Sequence, residues 1–429
     1  MLLRFEVSNY RSIMESVELS LIAVDGDRSA TRGFAKLNER VLTVAGIYGP
    51  NASGKSNVVD ALAWLSRAVA TSLREWDDFI PRERHKFGSG PSIPTHFGVG
   101  LMVDGIRYDY QLVVDDTQIV YESLHSFPER RRRMLFERDV NMEIDFRRGT
   151  EAQVATRELL TPTTLALSAA RRYSDPNISA VARAISRFSL QGLRRKRWGK
   201  RGAGSLNSLH RYSPTTRLFD KRHDPRQEAL FDEKDPGRSA TADTALALLR
   251  FADMGIDDVR IVEESDDERF GPRRRVELIH RTDGQPVAFE LHDESAGTQT
   301  WFRLIGPTLE ALATGNVLLF DEIDASLHPR LSARLLELFQ DPVTNPYDAQ
   351  LIFTTHDTSL LGSLNRDEVW LTDKSDVGAT TLTALAEFGG DRVRKSTNLE
   401  KAYLQGRFGA VPELDQAHLR HALGLENSG

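Results

Sequence analysis

Eight consecutive residues, Gly49-Pro50-Asn51-Ala52-Ser53-Gly54-Lys55-Ser56, fit the phosphate-cradling pattern G-x-x-x-x-G-K-[ST]. The glycines let the backbone curl so that successive N–H groups point at a triphosphate, at the positive end of the helix that follows. Lys55 adds a point charge for the outer phosphates, and the Ser56 hydroxyl is a candidate Mg²⁺ ligand. Asn51, Ala52, Ser53, Gly54, Lys55, Ser56 and Asn57 are thus the candidate cofactor-binding run, with ATP and Mg²⁺ as the cofactors. Far downstream, the apolar run Asn316 to Phe320 ends in Asp321-Glu322. Such paired acids divide the work: Asp321 would hold Mg²⁺, directly or through water, while Glu322 would orient and polarise the attacking water. A further apolar run, Leu351 to Thr354, leads into Thr355-His356-Asp357, where His356 can bond a γ-phosphate oxygen. Glu322 and His356 are the candidate catalytic residues.

Between these motifs, His292 to Gln299 opens a helix that is expected to run to about Ala313. Ser295 and Gly297 at its start are either an ordinary N-cap or a second anion site made of a hydroxyl, bare N–H groups and a positive dipole. The order of the motifs favours the second. P-loop, insertion, Ser-x-Gly helix start, Asp-Glu strand and strand-His follow one another as in an ABC-type ATPase head.

The elements that position these residues can be placed from periodicity and turn chemistry. Leu2 to Val7 alternates like an edge or half-buried strand, Asn9 to Ser12 is a turn, and Val17 to Val24 is a second strand. Val41 to Tyr48 is apolar enough for a strand buried on both faces, and Asn57 to Leu73 is helical. His96 to Val103, Tyr108 to Val114 and Ile119 to Phe127 form a meander with turns at Asp104-Gly105 and Asp115-Asp116. Helical patterns follow at Glu151 to Leu160, Ile178 to Phe188 and Thr244 to Met254, interrupted by a polar stretch from Gly192 to Thr241. Val259 to Glu263 reads as a strand followed by an acidic loop, Glu264 to Glu268. Arg275 to His280 and Val287 to Leu291 read as a hairpin around Asp283-Gly284. The fold class is α/β: a mixed sheet with helices, an antiparallel β lobe and an inserted, mostly helical subdomain. The expected segments are an N-terminal lobe over 1–145, an insertion over 146–258 and a C-terminal lobe over 259–429.

Composition bounds the rest. A chain of 429 residues exceeds one compact core, and 40% hydrophobic with 28% charged residues is the balance of a soluble globular protein. There is no long apolar run and no signal-peptide pattern at the start, so neither a membrane nor export is expected. The absence of cysteine excludes disulfides and thiolate metal sites and fits a cytoplasmic location. The net charge of −6 argues against global attraction to nucleic acid. One local run differs: Arg194, Arg195, Lys196, Arg197, Lys200 and Arg201 surround Trp198 within the polar stretch. It reads as a contact for a DNA or RNA backbone, as a dock for an acidic protein, or as a solvated loop.

The chain resembles the ABC-class ATPases related to the Rad50, SMC and RecF heads. It is most similar to the prokaryotic AAA_15/AAA_21 group typified by RloA and by the ATPase subunit of the PARIS defence system. The resemblance rests on Phe5 to Ser12, the P-loop with Asn57, Glu294 to Gln299, Asp321 to Pro329, Thr355 to Asp357 and Asn398 to Ala410. It implies ATP sandwiched between two heads, with the P-loop of one chain facing Ser295 and Gly297 of the other and Asp324 on the seam. It adds Arg11 and Ser12 to the nucleotide-binding residues. Two features depart from the transporter branch: the signature is Glu-Ser-Ala-Gly-Thr, and neither Gln111 nor Gln118 makes a clear Q-loop. The long coiled-coil arms of Rad50 and SMC are missing too. The resemblance implies an ATPase that forms a homodimer or higher homo-oligomer and controls a separate effector, a nuclease or toxin, in anti-phage defence. A DNA-repair clamp of the RecF type and a nucleotide-stabilised scaffold with negligible turnover are the alternatives.

Overall fold

The computed structural model describes residues 1–34, 38–140, 144–146, 157–173, 176–192, 213–220, 242–267, 271–282, 284–325, 327–388 and 399–408. The chain begins with β1 (Leu2–Ser8), β2 (Val17–Ser20), β3 (Thr31–Gly33), β4 (Arg40–Leu42) and β5 (Val44–Tyr48), then enters α1 (Lys55–Glu75). A meander follows: β6 (Thr95–Val103), β7 (Ile106–Val114), β8 (Ile119–Phe127), β9 (Arg133–Asp139) and β10 (Asp145–Phe146). Next come α2 (Ala166–Tyr173), α3 (Pro176–Ser186), β11 (Ser189–Gln191), α4 (Pro214–Phe219) and α5 (Ala242–Ala252). Three strands, β12 (Ile256–Asp267), β13 (Gly271–Thr282) and β14 (Gln285–Glu290), precede α6 (Ala296–Thr314). The remainder is β15 (Val317–Phe320), α7 (Pro329–Gln340), β16 (Gln350–Thr354), β17 (Val369–Lys374), β18 (Thr380–Ala384) and α8 (Leu399–Leu404).

Two large sheets organise these elements. A seven-stranded antiparallel sheet has the order β10-β9-β8-β7-β6-β1-β2, and a six-stranded sheet has the order β11-β15-β16-β5-β17-β18. In the second, every pairing is parallel except β17 with β18. Its strands alternate cleanly between two cores, as the period of two requires. Ala45, Ile47, Val317, Leu319 and Ile352 share a core with α1 and the antiparallel sheet. Val44, Tyr48, Leu318, Phe320, Leu351 and Phe353 face the core that holds α6 and α7. Helix α1 therefore lies between the sheets, and its Trp64 stacks on Phe97 of β6 with ring centroids 4.7 Å apart.

Several expectations shift in register. Val41 to Tyr48 is two strands, because the Thr43 amide turns to the Ala30 carbonyl at 3.2 Å, a carbonyl its hydroxyl also bonds at 3.0 Å; β4 then pairs with β3 and β5 with the parallel sheet. The second strand ends at Ser20 rather than Val24, since the Val24 and Asp25 amides both donate to the Asp367 carboxylate. Strand β1 is interior, flanked by β2 and β6, not an edge. The acidic loop after Glu263 is strand as far as Asp267, because pairing with β13 continues through Glu264 opposite Arg273. Helix α4 has no counterpart in the sequence reading. It packs where Pro307 interrupts α6: the Thr215 hydroxyl accepts from the Gly306 amide at 2.8 Å and donates to the Arg303 carbonyl that Pro307 leaves free. The basic residues Arg194, Arg195, Lys196, Arg197, Lys200 and Arg201 lie outside the described residues, as does most of the expected helix Glu151 to Leu160. No helix among the described residues is long and apolar enough to cross a membrane.

Gln350 stitches the two sheets together. Its fully buried amide accepts from the Leu2 amide at 2.5 Å and donates to the Leu2 and Leu42 carbonyls at 2.9 Å each. Replacing it by leucine leaves those backbone groups buried and unpaired. Gln350→Leu is expected to lower stability by about 3 kcal/mol, read from the midpoint of urea unfolding, and an unchanged midpoint would contradict this role.

Candidate functional site

The P-loop begins where β5 ends, and its shape is set by close packing on the β17–β18 pair. A Cβ at Gly49, whose φ is +149°, would lie 2.4 Å from the Thr372 carbonyl oxygen. One at Gly54, φ +110°, would lie 2.1 Å from the Thr380 hydroxyl. Only glycine fits at either position. Threonine hydroxyls then tie the loop down. Thr372 Oγ1 donates to the Tyr48 carbonyl at 3.1 Å and meets Ser53 Oγ at 2.6 Å, and Thr380 Oγ1 donates to the Ser53 carbonyl at 2.7 Å. With its proton so used, Thr380 accepts from Ser12 Oγ at 2.7 Å, and Ser12 in turn accepts from Asn57 Nδ2 at 2.5 Å. Ala52 is held at φ +62°, at the exposed crest beside Asn51.

Helix α1 starts at Lys55 with Gly54 as N-cap and no side-chain cap, and its first turn carries no acidic residue. Its dipole and the amides of its first turn, including those of Lys55 and Ser56, form an uncompensated positive end. Lys55 is buried and donates to the carbonyls of Gly49 and Pro50 at 2.9 and 3.0 Å. Its Nζ also lies 3.4 Å from His356 Nδ1.

The neighbouring strand ends deliver the acids. Asp321, at the end of β15, is buried and accepts from Thr354 Oγ1 at 2.6 Å. Glu322 is exposed and sits at φ +54°, a left-handed conformation uncommon outside glycine. Asp324 Oδ2 accepts from the His356 amide at 3.1 Å, while its buried Oδ1 has no hydrogen-bond partner. On the far side, the Asp321 amide donates to the Gln191 carbonyl at 3.0 Å, and a Cβ on Gly192 would lie 1.9 Å from the Asp321 carbonyl oxygen.

Lys55, Asp321, Glu322, Asp324 and His356 are thus brought to one place, and Ser12, Ser53 and Asn57 to the layer beneath. Arg11 sits at the same end of the sheet, but its guanidinium is engaged by Asp60 at 3.0 Å and Glu83 at 2.9 Å. Ser295 is the N-cap of α6, accepting from the Thr298 amide at 3.1 Å, with Gly297 in the first turn. Among the described residues, no hydrogen bond or ion pair joins Ser295 or Gly297 to the Lys55 cluster. Gln111 pairs with His96 inside the antiparallel sheet. Sequence reasoning missed Thr354, Thr372, Thr380, Asp60 and Gln191-Gly192. Thr354 stands two residues before His356 at a strand end and carried a usable signal; the others belong to no motif.

The model of the AAA_21 family, described as "AAA domain, putative AbiEii toxin, Type IV TA system", matches residues 44–362. The chain belongs to this family. An AAA_21 chain with these strand-end motifs is a P-loop ATPase of ABC/AAA type. No curated protein matches it. Among solved structures it is similar to an SmcHead bound to the C-winged helix domain of ScpA, with TM-score 0.44 and 13% identity, covering 89% of this chain and 97% of that one. It is also similar to the SMC head domain from Thermotoga maritima, with TM-score 0.38 and 11% identity, covering 89% and 98%. A third is the Smc head domain with an extended coiled coil, bound to the C-terminal domain of ScpA, derived from Pyrococcus furiosus, with TM-score 0.40 and 13% identity, covering 90% and 97%.

Charge in the AAA_21 site is strongly coupled. Burial lowers the Lys55 pKa from 10.5 to about 8, while Asp324, Asp321 and Glu322, in that order, pull it back up. Burial and the Lys55 charge both lower the His356 pKa from its ordinary 6.5, so the ring is neutral at pH 7. Asp321 and Ser56 offer the hard oxygen donors that a divalent cation such as Mg²⁺ takes, and the partnerless Asp324 Oδ1 leaves a further buried oxygen nearby. Because the unfolded chain holds the Lys55 proton up to about 10.5, the unfolded state binds more protons than the native one between about 8 and 10.5. The Lys55 contribution to stability therefore rises with pH across that window. Titration of Lys55 by NMR should give a midpoint near 8, and Asp324→Asn should lower it further. A midpoint at the free-lysine value would contradict the burial.

Proposed function

We propose that the chain binds Mg-ATP at the P-loop, hydrolyses it, and uses ATP-driven dimerisation to control a partner effector. The observation that carries this reading is the meeting of the buried Lys55 ammonium with Asp321, Glu322, Asp324 and His356 at adjacent strand ends. In this reading Lys55 and the free amides of α1 take the β- and γ-phosphates, and Asn51, Ala52, Ser53 and Gly54 supply the wall of the cradle. Ser56 and Asp321 hold Mg²⁺, which when bound neutralises the charge of the phosphate oxygens. Glu322, exposed at the crest of its turn, accepts a proton from the attacking water and aligns it. His356 Nδ1 accepts from Lys55, so the neutral ring carries its proton on Nε2 and can donate it to a γ-phosphate oxygen. Arg11, Ser12 and Asn57 buttress the loop and border the nucleotide.

Among the described residues of one chain no hydrogen bond or ion pair joins Ser295 or Gly297 to the Lys55 cluster, which supports their action in trans, across a dimer seam that includes Asp324. The partner is proposed to be a separate nuclease or toxin in prokaryotic anti-phage defence; the family description, with its toxin and Type IV TA system wording, supports only the link to toxin–antitoxin systems. Segment 146–258 is proposed as an insertion in the ATPase lobes, and its basic run from Arg194 to Arg201 as the contact for nucleic acid or for that partner.

Two outcomes test the reading. Lys55→Ala is expected to abolish nucleotide binding, whereas Glu322→Gln keeps binding and lowers kcat by about 10²- to 10⁴-fold. A Glu322→Gln chain that turns over normally would remove Glu322 from the chemistry. Mixing Lys55→Ala with Ser295→Arg chains should restore one composite site and measurable turnover. If heterodimers form and the mixture stays inactive, the trans arrangement is wrong.

A further inference from the structure

Thr354 touches three consecutive residues of the acidic turn. Its hydroxyl donates to Asp321 Oδ1 at 2.6 Å and accepts from the Glu322 amide at 2.8 Å, and its carbonyl accepts from the Ile323 amide at 3.1 Å. A hydroxyl has one proton, and here Asp321 takes it, which fixes the hydroxyl's direction and leaves its lone pair for Glu322. Thr354 is fully buried at the end of β16, between β15 and β5, so its Oγ1 inherits its position from the sheet. Its β-branched side chain is stiff at χ1. Two residues on, the His356 amide donates to Asp324 Oδ2, so the end of β16 and the 321–324 turn are latched at four points.

The latch bears on strain. Glu322 occupies a left-handed conformation that a non-glycine residue holds only when its surroundings over-determine it. The bond from its amide to Thr354 supplies that constraint, and the same oxygen aims the Asp321 carboxylate. We infer that Thr354 is a positioning residue for hydrolysis: one hydroxyl sets the cation-facing carboxylate of Asp321 and the water-facing side chain of Glu322 relative to each other. This rests on the roles proposed above for those two acids. Thr354 acts through Asp321 and Glu322, the residues its hydroxyl bonds. Valine matches its shape without a donor or acceptor, and serine keeps the hydroxyl without the methyl.

The test compares Thr354→Val, Thr354→Ser and Glu322→Gln in the full chain, with ATP turnover across a Mg²⁺ titration and binding of a fluorescent ATP analogue. Thr354→Val is expected to bind the analogue as the parent does and to lower kcat about 10²-fold at unchanged KM, the scale of a misplaced catalytic group. It should also need more Mg²⁺ for half-maximal turnover. Thr354→Ser should restore both kcat and the Mg²⁺ dependence. A role in packing alone predicts the reverse for serine, which opens a small void yet keeps the hydrogen bonds. If Thr354→Val fails to fold, as judged by circular dichroism, serine decides: parental turnover and Mg²⁺ dependence uphold the inference, and loss of either overturns it. Parental kcat and Mg²⁺ dependence in Thr354→Val, with Glu322→Gln inert, overturn the role of Thr354 alone. A Glu322→Gln chain with parental turnover overturns the reading of the acids beneath it.

Discussion

A lysine ammonium held out of water among three carboxylates is the constraint on which the rest of the site depends. Lys55 is buried, and burial alone moves its pKa toward neutrality. The compensating charges come from Asp321, Glu322 and Asp324, far away in the chain, and they reach it because β16 lies beside β5, and β15 beside β16, in one parallel sheet. Parallel strands put all their carboxyl ends on the same edge, so the motif at each end faces the others without any further device.

Holding a P-loop at that edge requires the backbone to pass unusually close to other backbone. Gly49 and Gly54 sit against Thr372 and Thr380, and Gly192 against the Asp321 carbonyl. The first two contacts connect the phosphate cradle to the antiparallel β17–β18 pair through a chain of hydroxyls that ends at Ser12 and Asn57. The third places strand β11 directly on the acidic turn.

The antiparallel sheet serves as a platform. It covers α1 through Trp64 and Phe97, supplies the Asn9 to Ser12 turn, and is locked to the parallel sheet by the buried amide of Gln350. Tyr10 and Arg11 both reach Asp60 on α1, at 2.6 and 3.0 Å, so the turn and the P-loop helix are held together by charge-assisted bonds.

The sequence by itself determined the P-loop ATPase class and most of the elements that carry its motifs. Patterns confined to a few adjacent residues were legible: the P-loop and its helix, the meander with Asp104-Gly105 and Asp115-Asp116 at its turns, the Ser295 helix start, and the two apolar strands ending in Asp321 and Thr354. Each of these depends on local periodicity or on a turn residue, which neighbouring positions alone specify. Other features were decided only by tertiary structure. Thr43 breaks one apolar run into two strands because a carbonyl from the segment before β3 takes its amide. Strand β12 extends through its acids because β13 continues the ladder beside them. Thr354, Thr372 and Thr380 are ordinary strand threonines in the sequence, and become the scaffold of the site because each hydroxyl meets a partner tens or hundreds of residues away. A hydroxyl's role is set by what the fold places within 3 Å of it, and that information is not local.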